Sequence, residues 1–257
     1  MKFIGLAVLI CCFSTFTVGN SVTIKCYYQM WKYWEANGIE YQCKVQNNEI
    51  FNENRVTIEK AEGEHKNGKS DDDVKFFVIT GAKLQFFPRN LENVFKNLEL
   101  IFIWNSKLIE ITSEDLKPFP KLKSFKLEEN PIEVIREDLF INNPDLEVLY
   151  LENNKINHID PKALSHLNKL RAIWFKNNLC KFDKSEVTTR SEVLQIVKKI
   201  EQGQCLSTQY AITVLFSQNY QLKQQNEEIL KKLNENQKYN KIIENLVETI
   251  QELKDKI

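Results

Sequence analysis

With 257 residues and 35 basic against 35 acidic side chains, the chain can bury a sizeable core and presents no net field toward nucleic acid or an acidic membrane. It holds only 7 glycines and 3 histidines, and no nucleophile elbow, phosphate loop or paired metal ligands occur. No enzyme is therefore expected, and neither a cofactor, a metal nor a nucleic-acid partner is called for.

Residues 1–19, MKFIGLAVLICCFSTFTVG, follow Lys2 with an apolar run from Phe3 to Phe13 and end on small or polar side chains. That is the pattern of a cleaved secretory leader, and the run is well short of the roughly 20 residues a bilayer span needs. The reading is a secreted, extracellular chain with no membrane span. Cys11 and Cys12 leave with the leader. Cys26, Cys43, Cys180 and Cys205 remain, an even set for an oxidising compartment. Of the three pairings, Cys26–Cys43 and Cys180–Cys205 are local, whereas the others would have to bridge everything between.

Residues 20–73 read as an N-terminal β cap followed by a polar loop. Tyr27, Tyr28, Trp31, Tyr33, Trp34 and Tyr41 favour strands, and Asn37-Gly38 is a hairpin turn signal. The stretch KAEGEHKNGKSDDD, residues 60–73, reads as a solvated loop, and Asp71–Asp73 lacks the spacing of a calcium loop.

From residue 74 to 180 one pattern recurs every 24 residues. Its units start at Val74, Leu98, Leu122, Leu146 and Leu170. In the clearest of them, LEVLYLENNKINHI (146–159), Leu149 and Leu151 point inward from a short strand while Tyr150 points out. An asparagine follows at 130, 154 and 178, where its amide can satisfy backbone that leaves the sheet. This is the spacing L-x-x-L-x-L-x-x-N-x-L of a leucine-rich repeat, so five stacked units should share one core. The fold class is an α/β solenoid with a short parallel sheet on its concave side. Such a stack exposes its core at both ends, and the two local disulfides would staple caps there.

Residues 181–206 form the second cap, with Ser191 as N-cap, an apolar face from Val193 to Ile200, and Gly203 as the stop. Residues 207–257 change character: Leu222, Ile229, Asn236, Ile243, Ile250 and Ile257 stand seven apart, with Leu246 and Leu253 three residues after Ile243 and Ile250. This heptad predicts a helical coiled-coil tail, with Asn236 favouring a parallel pair; the partner is a second copy or a related chain. His158 and His166 read as satisfied surface histidines.

The outward positions of the repeat strands mark the expected ligand surface. They include Phe102, Trp104, Lys126, Glu128, Tyr150, Glu152, Trp174 and Lys176, with large aromatics exposed beside charges.

The leader, CYYQMWKYWEANGIEYQC (26–43), EGEHKNGKSDDDV (62–74), LKPFPKLKSFKLEENPIEVI (116–135) and NPDLEVLYLENNKINHI (143–159) resemble secreted leucine-rich repeat proteins of insects, dipterans especially. The overall layout is similar to that of mosquito leucine-rich repeat immune proteins. That resemblance implies a circulating recognition protein of innate immunity with a protein ligand. The chain departs from it in having only five repeats and no cysteine left over to link a second chain. The alternative is a structural component of a secretion or matrix that assembles through its coiled coil.

Overall fold

A computed structural model describes residues 21–33, 38–51 and 55–254, so the expected leader lies outside the described residues. Two compact units result, one ending at Cys205 and one starting at Leu206.

The first unit is built on strands β1 (Ser21–Tyr33), β2 (Gly38–Val45), β3 (Thr57–Glu62), β4 (Phe76–Thr80), β5 (Leu100–Trp104) and β6 (Ser124–Lys126). It continues through β7 (Val134–Ile135), β8 (Val148–Tyr150), β9 (His158–Ile159), β10 (Ala172–Trp174) and β11 (Glu186–Val187). Its helices are the one-turn α1 (Leu91–Val94) and α2 (Ser113–Leu116), and α3 (Arg190–Glu201). The main sheet runs β11-β10-β8-β6-β5-β4-β2-β1-β3, and β7 pairs β9 in a small second sheet. From β4 to β10 the strands are parallel and in step, so that Phe76, Leu100, Ser124, Val148 and Ala172 lie side by side.

Alternation explains the core. Phe77 and Ile79, Ile101 and Ile103, Phe125 and Leu127, Leu149 and Leu151, Ile173 and Phe175 are all buried. A fully buried side chain of this size stabilises by about 2 kcal/mol, and the stack places one beneath another without a break. Strands β6, β8 and β10 then leave the sheet through a left-handed residue, Glu129 (φ 56°), Asn153 (φ 54°) or Asn177 (φ 58°), and the asparagine that follows is buried. The Asn130 side-chain oxygen accepts from the Ser106 and Leu108 amides at 3.1 and 2.9 Å, and its amino group donates to the Ile103 carbonyl at 2.8 Å. Asn154 and Asn178 repeat the arrangement, reaching the Leu127 and Leu151 carbonyls at 2.9 and 2.8 Å.

Disulfides Cys26–Cys43 and Cys180–Cys205 close the two ends, with Cα–Cα distances of 5.0 and 5.4 Å. The hairpin expected around Asn37-Gly38 is present as antiparallel β1–β2, with Tyr33 opposite Gly38, while residues 34–37 lie outside the described residues.

Four local expectations are corrected. The stretch 60–73 is not a plain solvated loop: its first residues belong to β3, a parallel partner of β1, and Asp71–Asp73 form a 3-10 turn capped by Ser70. Asp71 accepts the Tyr28 hydroxyl, and burial first, then that bond, raises the Tyr28 pKa so that the phenol stays a donor. Helix α3 is capped by Thr189, whose side chain accepts from the Glu192 amide, and not by Ser191. Arg190 then ties the helix start to the repeats, donating to the Leu167 and Leu170 carbonyls at 3.0 and 2.7 Å. His158 is buried on β9, where its Nε2 meets Asp160 at 2.9 Å. His166 is half-buried and its Nε2 has no hydrogen-bond partner.

The second unit is α4 (Thr208–Lys254), one continuous helix of 47 residues. Leu222, Ile229, Asn236, Ile243 and Leu246 are all exposed on it. The side chains of Ile250 and Leu253, and all of Ile257, lie outside the described residues. No described helix is long and apolar enough to cross a membrane.

Candidate ligand-binding surface

The outward side of the same strands forms a second apolar layer. Phe76, Val78, Leu100, Phe102, Val148, Tyr150 and Ala172 make a cluster, with Trp104 and Trp174 packed against it. Two stripes cross the strands. One runs Phe76, Leu100, Ser124, Val148, Ala172; the other runs Val78, Phe102, Lys126, Tyr150, Trp174.

The aromatics contact one another in the geometry their quadrupoles favour. Phe102 meets Phe76 edge-on at 4.6 Å and Tyr150 at 6.1 Å, and Tyr150 stacks on Trp174 at 4.4 Å. Lys126 sits among them. Its ammonium lies 5.1 Å from the Tyr150 ring centre, 5.2 Å from Trp104 and 6.0 Å from Phe102, and pairs with Glu128 at 2.5 Å. A cation held by three rings and a carboxylate fixes the middle of the surface.

A cavity of about 460 Å³ stands over this layer, within the range of ordinary ligand pockets. Seven of the residues expected from the sequence line it: Phe102, Trp104, Lys126, Glu128, Tyr150, Glu152 and Trp174. Lys176, on the loop after β10, pairs with Glu186 at 3.6 Å.

The expectation that all four aromatics stand exposed is corrected. Phe102 and Tyr150 are only 6% and 7% exposed, because aromatics one or two strands apart pack flank to flank before they meet any ligand. Trp104 and Trp174 are half-buried and keep part of their rings available.

Sequence reasoning missed two contributors. Phe76, at the start of β4, extends the period of two one step further back than the repeat template was read. The β1–β2 hairpin also reaches the cavity through Gln29, Trp31, Lys32, Gln42 and Lys44. Their signal was present: Tyr28 is buried while Tyr27, Gln29 and Trp31 alternate with it, so one face of the cap continues the sheet. Among the described residues no group of three or more His, Cys, Asp or Glu could hold a metal.

Residues 120–179 match the family model described as leucine rich repeat. The chain carries leucine-rich repeats. Over 100 residues it is 30% identical to asporin from Bos taurus, an overlap of 39% of this chain and 26% of asporin. It thus spans about a quarter of that relative. Among solved structures, the repeats are similar to a chain of the Toll–Spatzle complex, described as a hub in Drosophila development and innate immunity. The identity is 17%, the TM-score 0.40, and the match covers 48% of this chain and 17% of that one. Similar too is a chain of a TLR13–ssRNA13 complex, with 22% identity, TM-score 0.39, and 51% and 17% covered.

Proposed function

We propose that the chain is a secreted, non-enzymatic recognition protein that holds an extracellular protein ligand against the concave face of its repeat sheet, in innate defence. The observation that carries the binding role is the aromatic-lined cavity, in which half-buried Trp104 and Trp174 flank a fixed Lys126–Glu128 pair. Tryptophan and tyrosine in a desolvated centre with charges beside them are the usual composition of binding hot spots. Two disulfides and a leader-like first segment support an extracellular setting. The defence role rests on the resemblance of the layout to insect immune proteins.

The test starts with capture from body fluid on the immobilised chain and identification by mass spectrometry. Trp104→Ala with Trp174→Ala should keep the circular dichroism of the fold and weaken capture of the identified ligand at least about tenfold. Unchanged capture by the folded double variant would move the binding site off this face.

A second reading, an assembly component, is favoured by the heptad on α4, whose Leu222, Ile229, Ile243 and Leu246 are exposed. In either reading α4 pairs with a second copy or a related chain.

A further inference from the structure

The sheet carries a second kind of surface at its N-terminal edge. β1 pairs β2 along Cys26–Tyr33 but pairs β3 only along Ser21–Lys25. β3 ends at Glu62, opposite Lys25, and the chain turns away at Gly63. A side chain would not fit there, since a Cβ on Gly63 would stand 2.3 Å from the Cys26 carbonyl oxygen. Two residues on, the His65 ring stacks on Tyr28 at 3.9 Å, so the chain has passed from the edge of β1 onto a face of the sheet. Among the described strands nothing else pairs β1 on that side.

The ladder shows which way the backbone points along this edge. The Gln46 amide donates to the Lys25 carbonyl at 2.9 Å, and alternate residues of an antiparallel pair bond the same neighbour. Tyr27, Gln29, Trp31 and Tyr33 therefore bond β2. On the far side of β2 the Lys75 amide donates to the Tyr41 carbonyl at 3.0 Å, in step with that alternation. The amides and carbonyls of Met30 and Lys32 point the other way, past the end of β3. From Tyr28 to Tyr33 this edge is roughly 17 Å long.

The two ends of the sheet order are guarded in ordinary ways. β3 carries Glu59, Lys60 and Glu62, with Lys60 held to Glu62 at 2.5 Å, and β11 is the short Glu186–Val187. The outer run of β1 instead shows exposed Met30 and Trp31 and a single charge, Lys32. Outward amides and carbonyls in a row select an extended chain, because a helix has already used its backbone bonds internally. Charge then selects among extended chains. Lys32 and, one strand in, Lys44 are exposed and form no ion pair among the described residues. A second copy would add its own Lys32 to this edge, whereas an acidic strand would neutralise it.

We propose that β1 from Tyr28 to Tyr33 is a docking edge for an extended acidic segment of a partner protein, which joins the sheet as an added strand. Its side chains alternate, one set beside Trp31 and the other, with the acidic residue, beside Met30 and Lys32. This goes beyond the concave-face reading and does not depend on it.

Labelled peptides of about eight residues test it by fluorescence anisotropy with the full chain. The first alternates valine or threonine with glutamate and should bind; lysine in place of glutamate should weaken binding at least about tenfold. N-methylation of every second amide separates strand addition from side-chain contact, since only one alternate set faces β1. One methylated set should abolish binding and the other should keep it. Met30→Pro removes an outward amide and no bond to β2, so it should abolish binding while Cys26–Cys43 still forms. Lys32→Glu should reverse the preference between the acidic and basic peptides, a reading that only a folded chain can give. Trp104→Ala with Trp174→Ala should leave binding unchanged. No binding of the acidic peptide up to about 1 mM overturns the inference. So does equal binding of the acidic and basic peptides, equal loss from both methylated sets, or loss in the tryptophan variant. If Met30→Pro lowers self-association of the full chain in sedimentation, a second copy occupies the edge and the acidic partner is wrong.

Discussion

Asn154 in the repeats and Asn236 on α4 are the same residue set into two periodic apolar patterns, with opposite surroundings. Asn154 is buried: its oxygen accepts from the Ile132 amide at 3.2 Å, and its amino group donates to the Leu127, Leu151 and Glu152 carbonyls at 2.9, 3.1 and 3.1 Å. Asn236 is exposed between Ile229 and Ile243. The difference lies in the period. A 24-residue repeat brings the next copy of itself alongside within one chain, so the amide finds the neighbouring turn. A seven-residue repeat brings the next copy further along the same helix face, and only a second helix can lie opposite it.

The comparison breaks most readily at Asn154. Asn154→Ala leaves an amide and carbonyls of two turns buried without partners, and should destabilise the chain by about 3 kcal/mol or more. Urea unfolding followed by circular dichroism reads this directly. A loss under about 1 kcal/mol would mean that the ladder is dispensable and the apolar stack alone holds the turns.

Next in size is the staple at the end of the stack. Cys180–Cys205 closes a loop with a sequence separation of 25, for which chain entropy gives about 3 kcal/mol. Cys180→Ser with Cys205→Ser should lower the unfolding midpoint accordingly. Hydrogen exchange should rise first in α3, whose Val193, Ile196, Val197 and Ile200 cover the last repeat, and leave Leu149 and Leu151 protected. Uniform loss of protection would make the repeats and their cap one cooperative unit.

At Asn236 the expected sign is reversed. Asn236→Leu should not lower the stability of the repeats, and should strengthen self-association by about 2 kcal/mol while relaxing the preference for two chains. Sedimentation of the full chain, of this variant, and of a version ending at Cys205 is the comparison. The shortened version should stay monomeric. If the full chain also runs as a monomer at tens of micromolar, the partner is a related chain and not a second copy.

The inner side of the repeats was legible because it obeys one rule at every step: strand alternation gives Leu149 and Leu151, and the asparagine follows at a fixed offset. The disulfide pairs followed from the open ends of a stack. What escaped reading depended on neighbours distant in sequence. Nothing local in Thr57–Glu62 announces that Ser21–Lys25 will lie beside it as a parallel partner. His158 looks like any polar residue after Ile156 until the preceding repeat brings Val134 of β7 alongside it and buries it. Thr189 and Ser191 are equally good caps on paper, and Arg190 decides between them by tethering the helix start to Leu167 and Leu170. On the outward face the residue types were readable, but their packing was not. The burial of Phe102 follows from Phe76 on one side and Tyr150 on the other, and the share of the cavity given by Trp31 and Lys44 follows from the cap continuing the sheet.

The smallest effect sits on a charged ladder with the same 24-residue step. Glu99 pairs with Lys75 at 3.0 Å and Lys123 at 2.5 Å, one repeat to either side. Burial by itself would raise the carboxyl pKa, but the hydrogen bonds from Lys123 and Lys75 outweigh it and hold Glu99 below its ordinary 4.5. Unlike the Asn154 amide, both lysines remain partly in water, where such pairs contribute at most about 1 kcal/mol. The sign follows from the lowered folded-state value. The stabilisation is fully present above the unfolded-state pKa and is lost as pH falls through the folded one. Glu99→Gln should therefore be less stable than the parent by under about 1 kcal/mol at pH 7, and the gap should close as the pH is taken from 4.5 downward. Paired urea titrations at neutral and acid pH measure it, with added salt shrinking the neutral gap. A gap that widens on acidification would show that the Glu99 side chain is held by its burial and not by its two lysines.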